Sequence, residues 1–202
     1  MIKESDILFV TTSMSTKWID YQQKILKDNF PESSFLVVSG RDRWPNAWFY
    51  WIEEVKNSSA KWYIHIDEDC FLENKGEVLR LLEKMENENI GISAISEAYC
   101  HFRGNNPVAF NSFFLVGRVE DLKDLNINFR SVSFFPEGNN WRNSLGIRFK
   151  EEYLQDFEYP HEKAWPYDNL QSEAEPYYLF CWLMKEKKIK FYYLYPYFDD
   201  RF

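Results

Sequence analysis

Residues 61–72 read KWYIHIDEDCFL, and this stretch constrains the fold more than any other. Trp62, Ile64 and Ile66 alternate along it and are aromatic or β-branched, the composition of a buried strand. The run leads straight into Asp67-Glu68-Asp69. Charge at the end of a core strand needs a reason. Two carboxylates one residue apart can jointly hold a hard divalent cation, and open α/β sheets bind ligands at the carboxyl edge of their strands. An acidic turn with no ligand accounts for the same letters, since acidic pairs are common in turns.

The flanking elements say which kind of sheet this strand joins. Asp6 to Thr12 (DILFVTT) predicts a short strand, with Ser13 or Ser15 as the cap of a helix running to about Phe30 before Pro31. Phe35 to Ser39 predicts a second strand closed by Gly40. From about Pro45 to Lys56, Trp48, Trp51, Ile52 and Val55 fall at i, i+3, i+4 and i+7, a helix with one apolar face. The central strand follows. The order β-α-β-α-β predicts a parallel sheet whose loops at Thr11–Ser15, Ser39–Arg43 and Asp67–Asp69 converge on one edge.

Beyond it, Gly76 to Glu88 places Val78, Leu81, Leu82 and Met85 on one helical face. Strands are expected at Ile90–Ser96 and Val108–Gly117, followed by Arg118 and a short charged stretch around Glu120–Lys123. Residues 126–167 show little periodicity, with Pro136, Gly138, Gly146 and Pro160 interrupting them, which suggests a lid or binding segment. A helix from about Glu173 to Lys187 and a strand from Lys190 to Tyr195 come last. No repeat or linker divides the 202 residues, so the expectation is one α/β domain with a mostly parallel sheet flanked by helices.

Composition narrows the function. The net charge of −8 argues against a surface that binds nucleic acid or anionic lipid, either of which needs a basic patch. An anionic ligand must then be met locally, through metal. Cys70, Cys100 and Cys181 are widely spaced and form no CxxC, so they read as reduced, cytoplasmic thiols rather than a disulfide framework or zinc site. The apolar run in MIKESDILFVTTS is too short for a signal peptide or a membrane span, which leaves only a peripheral membrane role. Aromatic residues make up 19% of the chain, and while most such rings are core, some can stack on the C–H faces of a sugar.

The hydrophobic-Asp-x-Asp-hydrophobic run, set after two βα units, resembles the DxD motif of GT-A glycosyltransferases. That resemblance extends over most of the chain, as a nucleotide-binding half (1–72) and an acceptor half (73–202). It implies a hexosyltransferase-type enzyme, as in polysaccharide biosynthesis, that moves a sugar from a nucleotide-sugar donor to a saccharide or other hydroxyl acceptor. It also implies Mn2+ or Mg2+ on the donor diphosphate. Asp69 would coordinate that metal, and Asp67 would touch it through water or meet the ribose. A late histidine often completes the metal site in the family, and His161 stands there here. Thr11, Thr12, Ser13, Arg41 and Asp42 are the expected contacts of the nucleotide, with Arg103 and Arg118 near the diphosphate. Glu68 is expected to point away, and His65 to be a buried, hydrogen-bonded histidine.

A carboxylate near the start of a late helix serves the family as catalytic base, and Glu173 and Glu175 occupy such a place. The spacing Glu-Ala-Glu departs from the adjacent acidic pair of many members, and Ser172-x-x-Glu175 is also a capping box that explains both residues without catalysis. Two other classes remain open. One is a haloacid-dehalogenase-like phosphatase with Asp67 as nucleophile, although that motif follows a chain's first strand and has a later Gly-Asp pair that is missing here. The other is a non-catalytic carbohydrate-binding relative.

Overall fold

Strand β1, Ile7–Ser13, lies between β2, Ser34–Ser39, and β3, Trp62–Asp67, and runs parallel to both. The computed structural model describes residues 2–14, 17–40, 47–96, 108–128, 152–153 and 176–194. Among these, β4 (Ile92–Ser96), β5 (Phe110–Arg118) and β6 (Phe191–Leu194) complete one six-stranded sheet in the order β2-β1-β3-β5-β4-β6. Strand β5 is antiparallel to β3 and β4, while β6 is parallel to β4. Five strands therefore share a direction and one opposes them, a mixed α/β sheet.

Side-chain alternation sends successive strand residues to opposite faces. Ile7, Phe9, Trp62, Ile64, Ile66 and Val116 pack on one side with Leu26 of α1 (Ile19–Asn29) and with Val78, Leu82 and Met85 of α3 (Lys75–Asn87). On the other side Leu8, Val10, Tyr63 and Leu115 meet Trp51, Ile52 and Val55 of α2 (Ala47–Lys56) and Phe180 to Met184 of α5 (Pro176–Glu186). The short α4 (Val119–Lys123) contributes Val119 and Leu122 to this second cluster. The fold is thus three layers, helices on both faces of the sheet.

Helix α1 begins later than its sequence suggests. Ser13 is the last residue of β1 instead of a helix cap, and Trp18 stands at the N-cap with no side-chain cap bond. Helix α3 does have a side-chain cap, since the Asn74 carbonyl accepts from the backbone N–H of Glu77 at 3.2 Å. Gly117 is required by packing: a Cβ there would lie 2.4 Å from the ring and hydroxyl of Tyr63, its partner across β3–β5.

The connection order has a consequence for ligands. From β1 the chain moves to β2 on one side, then returns to β3 on the other. The crevice between β1 and β3 is therefore a topological switch point, the place where open α/β sheets leave room for a ligand outside their carboxyl ends.

Candidate functional site

The register brings the hydroxyl end of β1 beside the acidic end of β3. Thr12 pairs with Asp67 across β1–β3 and with Val38 across β1–β2, and Ser13 pairs with Ser39. The three predicted loops accordingly start side by side. Residues 41–46 lie outside the described residues, so Arg41 and Asp42 are not located.

Asp67 closes β3, Glu68 and Asp69 form a turn, and the Cys70 N–H donates to the Asp67 carbonyl at 3.0 Å. Asp67 is half-buried, and Asp69 is exposed and makes no ion pair among the described residues. Glu68 meets the neighbouring strand end. Its carboxylate accepts from the Ser13 hydroxyl at 2.6 Å. Ser13 is thereby tied to the acidic turn.

Each face of this edge has its own polar anchor. On the α1 face Gln22 is fully buried, and its amide donates to the Asp67 carbonyl at 2.5 Å and to the Cys70 carbonyl at 2.8 Å. The Gln22 carbonyl accepts from the Thr11 hydroxyl at 2.9 Å, while Gln23 donates to the same hydroxyl at 3.3 Å. Thr11 is fully buried, so it helps to orient the clamp and presents nothing to a nucleotide at the surface. One glutamine thus brackets the turn at both ends, joining β1, α1 and β3. Asn29 extends the same face by donating to the Leu72 carbonyl at 3.1 Å.

On the α2 face His65 is 1% exposed, its Nε2 is 3.0 Å from the Thr12 hydroxyl, and its ring stacks on Trp51 at 4.8 Å. It is the buried, hydrogen-bonded histidine that the sequence suggests, and Thr12 is its partner. Asp67 shares the alternation of Tyr63 and His65.

Charge and burial act on Cys70. Its thiol is pushed up to about 12, first by desolvation and then by Asp67 and Asp69. Cys70 and Cys181 are free, and Cys100 lies outside the described residues. Around the turn Phe71 meets Trp18 and Tyr21 edge-on, with centroids 6.4 and 5.5 Å apart.

Arg118 is not near this edge. Antiparallel β5 puts it opposite Trp62, at the start of β3, where it donates to Asp121 at 2.8 and 3.1 Å and to Asn89 at 2.6 Å. The direction of its strand carries it to the far end of the sheet. His161, Glu173, Glu175 and Arg103 lie outside the described residues, as does most of 126–167. Gln22 is the side chain at this edge that the sequence does not announce; its only signal is a polar residue on the helix face that packs against the sheet.

The donor set at Asp67 and Asp69 suits a magnesium-like cation. Such ions use one or two carboxylates and take their remaining ligands from water and substrate phosphates. No group of three metal-ligating side chains occurs among the described residues, so an all-protein cage is not formed by them. Among the described residues no helix is long and apolar enough to cross a membrane.

No family model matches the sequence, and no curated protein matches it. Among solved structures, the A197 protein from STIV is similar at a TM-score of 0.47 and 15% identity, over 65% of this chain and 72% of that one. Mouse xyloside xylosyltransferase 1 in its apo form is similar at a TM-score of 0.44 and 11% identity, over 96% of this chain and 74% of that one.

Proposed function

We propose that this protein is a metal-assisted glycosyltransferase that moves a sugar from a nucleotide-sugar to a hydroxyl acceptor. The observation that carries the reading is the position of the Asp67–Asp69 turn at the switch point between β1 and β3, with Asp69 exposed. Turn carbonyls held by a buried neutral amide leave the carboxylate of Asp69 free to serve a ligand.

Asp67 and Asp69 would hold Mn2+ or Mg2+ together with the donor diphosphate. When bound, such a cation supplies Lewis-acid neutralisation of the charge on the departing diphosphate. The chain's own contribution is orientation. Gln22 sets the turn, Thr12 and His65 brace the neighbouring strand ends, and the rings of Trp18 and Tyr21 offer faces for a sugar or base.

In the transfer, the acceptor oxygen bonds to the anomeric carbon as the bond from that carbon to the phosphate oxygen breaks. The bonding pair leaves with the diphosphate. The hydroxyl proton passes to a carboxylate, for which Glu175, or else Glu173, is the proposed base. General-base help of this kind is worth about 10²–10⁴-fold.

A thermal-shift screen tests the reading. UDP, GDP and their sugar conjugates are each added with and without Mn2+, and at least one diphosphate is expected to raise the melting temperature only when metal is present. A protein that no diphosphate stabilises under either condition would contradict it.

A further inference from the structure

The apolar stripe of α3 divides in two. Leu82 and Met85 are buried against the sheet, whereas the half-buried Leu81 and the inner Val78 line a groove of about 490 Å³. The remaining walls are Phe71 to Asn74 just past the acidic turn, Phe114 of β5, and Tyr192 and Leu194 of β6. Small-molecule sites commonly enclose about 300–1,000 Å³. Along α3 the lining runs from Glu77 to Lys84. At ~1.5 Å per residue this is roughly 10 Å of wall, the length of a small glycoside.

The groove is lined by residues that directly follow or flank the acidic turn. Phe71 follows Asp69 by two residues, and Phe114 is paired with Ile66, the neighbour of Asp67. Trp18 and Tyr21, 43% and 57% exposed, extend the aromatic surface from Phe71 across the turn.

Its charges point to an uncharged occupant. Arg80 pairs with Glu77, and Lys84 pairs with Glu88 while lying 4.8 Å over the Tyr192 ring. The Asn74 side chain is used as the helix cap. Glu73 is exposed and makes no ion pair among the described residues. With the cations already paired and an unpaired carboxylate among the lining residues, an anionic ligand is disfavoured. Hydroxyls suit Glu73, and an apolar body suits the rings and Leu81.

We infer that this groove is the acceptor subsite and that the acceptor is a neutral glycoside with an apolar aglycone. Its hydroxyls lie toward Glu73 and the acidic turn, and its aglycone lies along Leu81, Phe114 and Tyr192. The inference rests on the glycosyl-transfer reading above.

Titration calorimetry with phenyl β-glucoside and methyl β-glucoside tests it, run beside a separate titration of UDP with Mn2+. The parent protein should bind the phenyl compound at least tenfold more tightly than the methyl one. Leu81→Trp, which fills the groove, and Tyr192→Ala, which removes a wall, should each weaken the phenyl compound at least fivefold and leave UDP with Mn2+ unchanged. Should Leu81→Trp fail to fold, Tyr192→Ala decides. Equal affinity in parent and variant, or no preference for the phenyl compound, overturns the subsite while a normal UDP titration leaves the donor reading standing. Glycoside selectivity without any UDP binding overturns the acceptor role with the donor reading, and leaves a glycoside-binding groove.

Discussion

The two ends of the sheet both carry acidic residues, and they use them in opposite ways. At the far end Asp121 is met by the Arg118 guanidinium, which also reaches Asn89, so the charge is neutralised within the protein. At the near end the Asp67–Asp69 turn is fixed through its carbonyls by the neutral amide of Gln22, and Asp69 stays exposed. A carboxylate satisfied by its own chain is architecture. One whose backbone is held while its charge remains available is suited to a ligand.

The largest effect on stability is expected at the far end. Asp121→Ala leaves the half-buried Arg118 without two hydrogen bonds and should cost about 2–4 kcal/mol in chemical denaturation, as broken buried pairs do. Asp121→Asn keeps an acceptor and should cost less. The Asn variant also reads a pH effect. Burial, opposed by Arg118, raises the Asp121 pKa above its ordinary 3.8. The folded state therefore holds this proton to higher pH than the unfolded state does, and this group alone lowers stability as pH rises from about 3.8 through the raised value. Asp121→Asn should remove that slope; an unchanged slope would refute the assignment.

Gln22→Met comes next. It keeps the volume and deletes both bonds to the turn, so denaturation should show a loss of about 1–3 kcal/mol. Affinity for Mn2+ with UDP should fall by about 10–100-fold, the usual cost of losing a residue that orients metal ligands. A variant that loses stability and keeps full affinity would mean that Gln22 braces the fold without positioning the turn.

The contrast between the ends was only partly legible in the sequence. The six strands of the described residues are all foreshadowed by alternating or continuous apolar runs, and the acidic turn by charge at a strand's end, because burial periodicity and desolvation act locally. Strand direction does not. Nothing in FNSFFLVGR says that β5 runs against β3, and that reversal alone moved Arg118 from the expected diphosphate to the opposite edge. Gln22 was equally silent, since its partners lie 45 and 48 residues away and a helix shows no local mark of a long-range clamp.

A smaller effect is expected one residue inside the far end. The Tyr63 hydroxyl is buried against Gly117 with no hydrogen-bond partner among the described residues, and its pKa is raised well above 10.0, chiefly by desolvation and then by Asp121 and Cys181. Tyr63→Phe removes a buried unsatisfied group and should stabilise by up to about 1 kcal/mol. The sign at high pH follows from the same shift: unfolded tyrosine ionises near 10.0 while the folded one stays neutral, so stability drops above that pH in the parent. The Phe variant should lose less between pH 10 and 11, as denaturation at each pH will show.

The most direct test sets one aspartate from each end against the other. Asp69→Asn and Asp121→Asn are titrated with UDP in the presence of Mn2+, and their melting temperatures are measured without ligand. Asp69→Asn should lose metal-dependent UDP binding at least tenfold while melting within about 2 °C of the parent, as an exposed substitution does. Asp121→Asn should melt lower and bind UDP as the parent does. Metal-dependent UDP binding by Asp69→Asn equal to that of the parent would contradict the account.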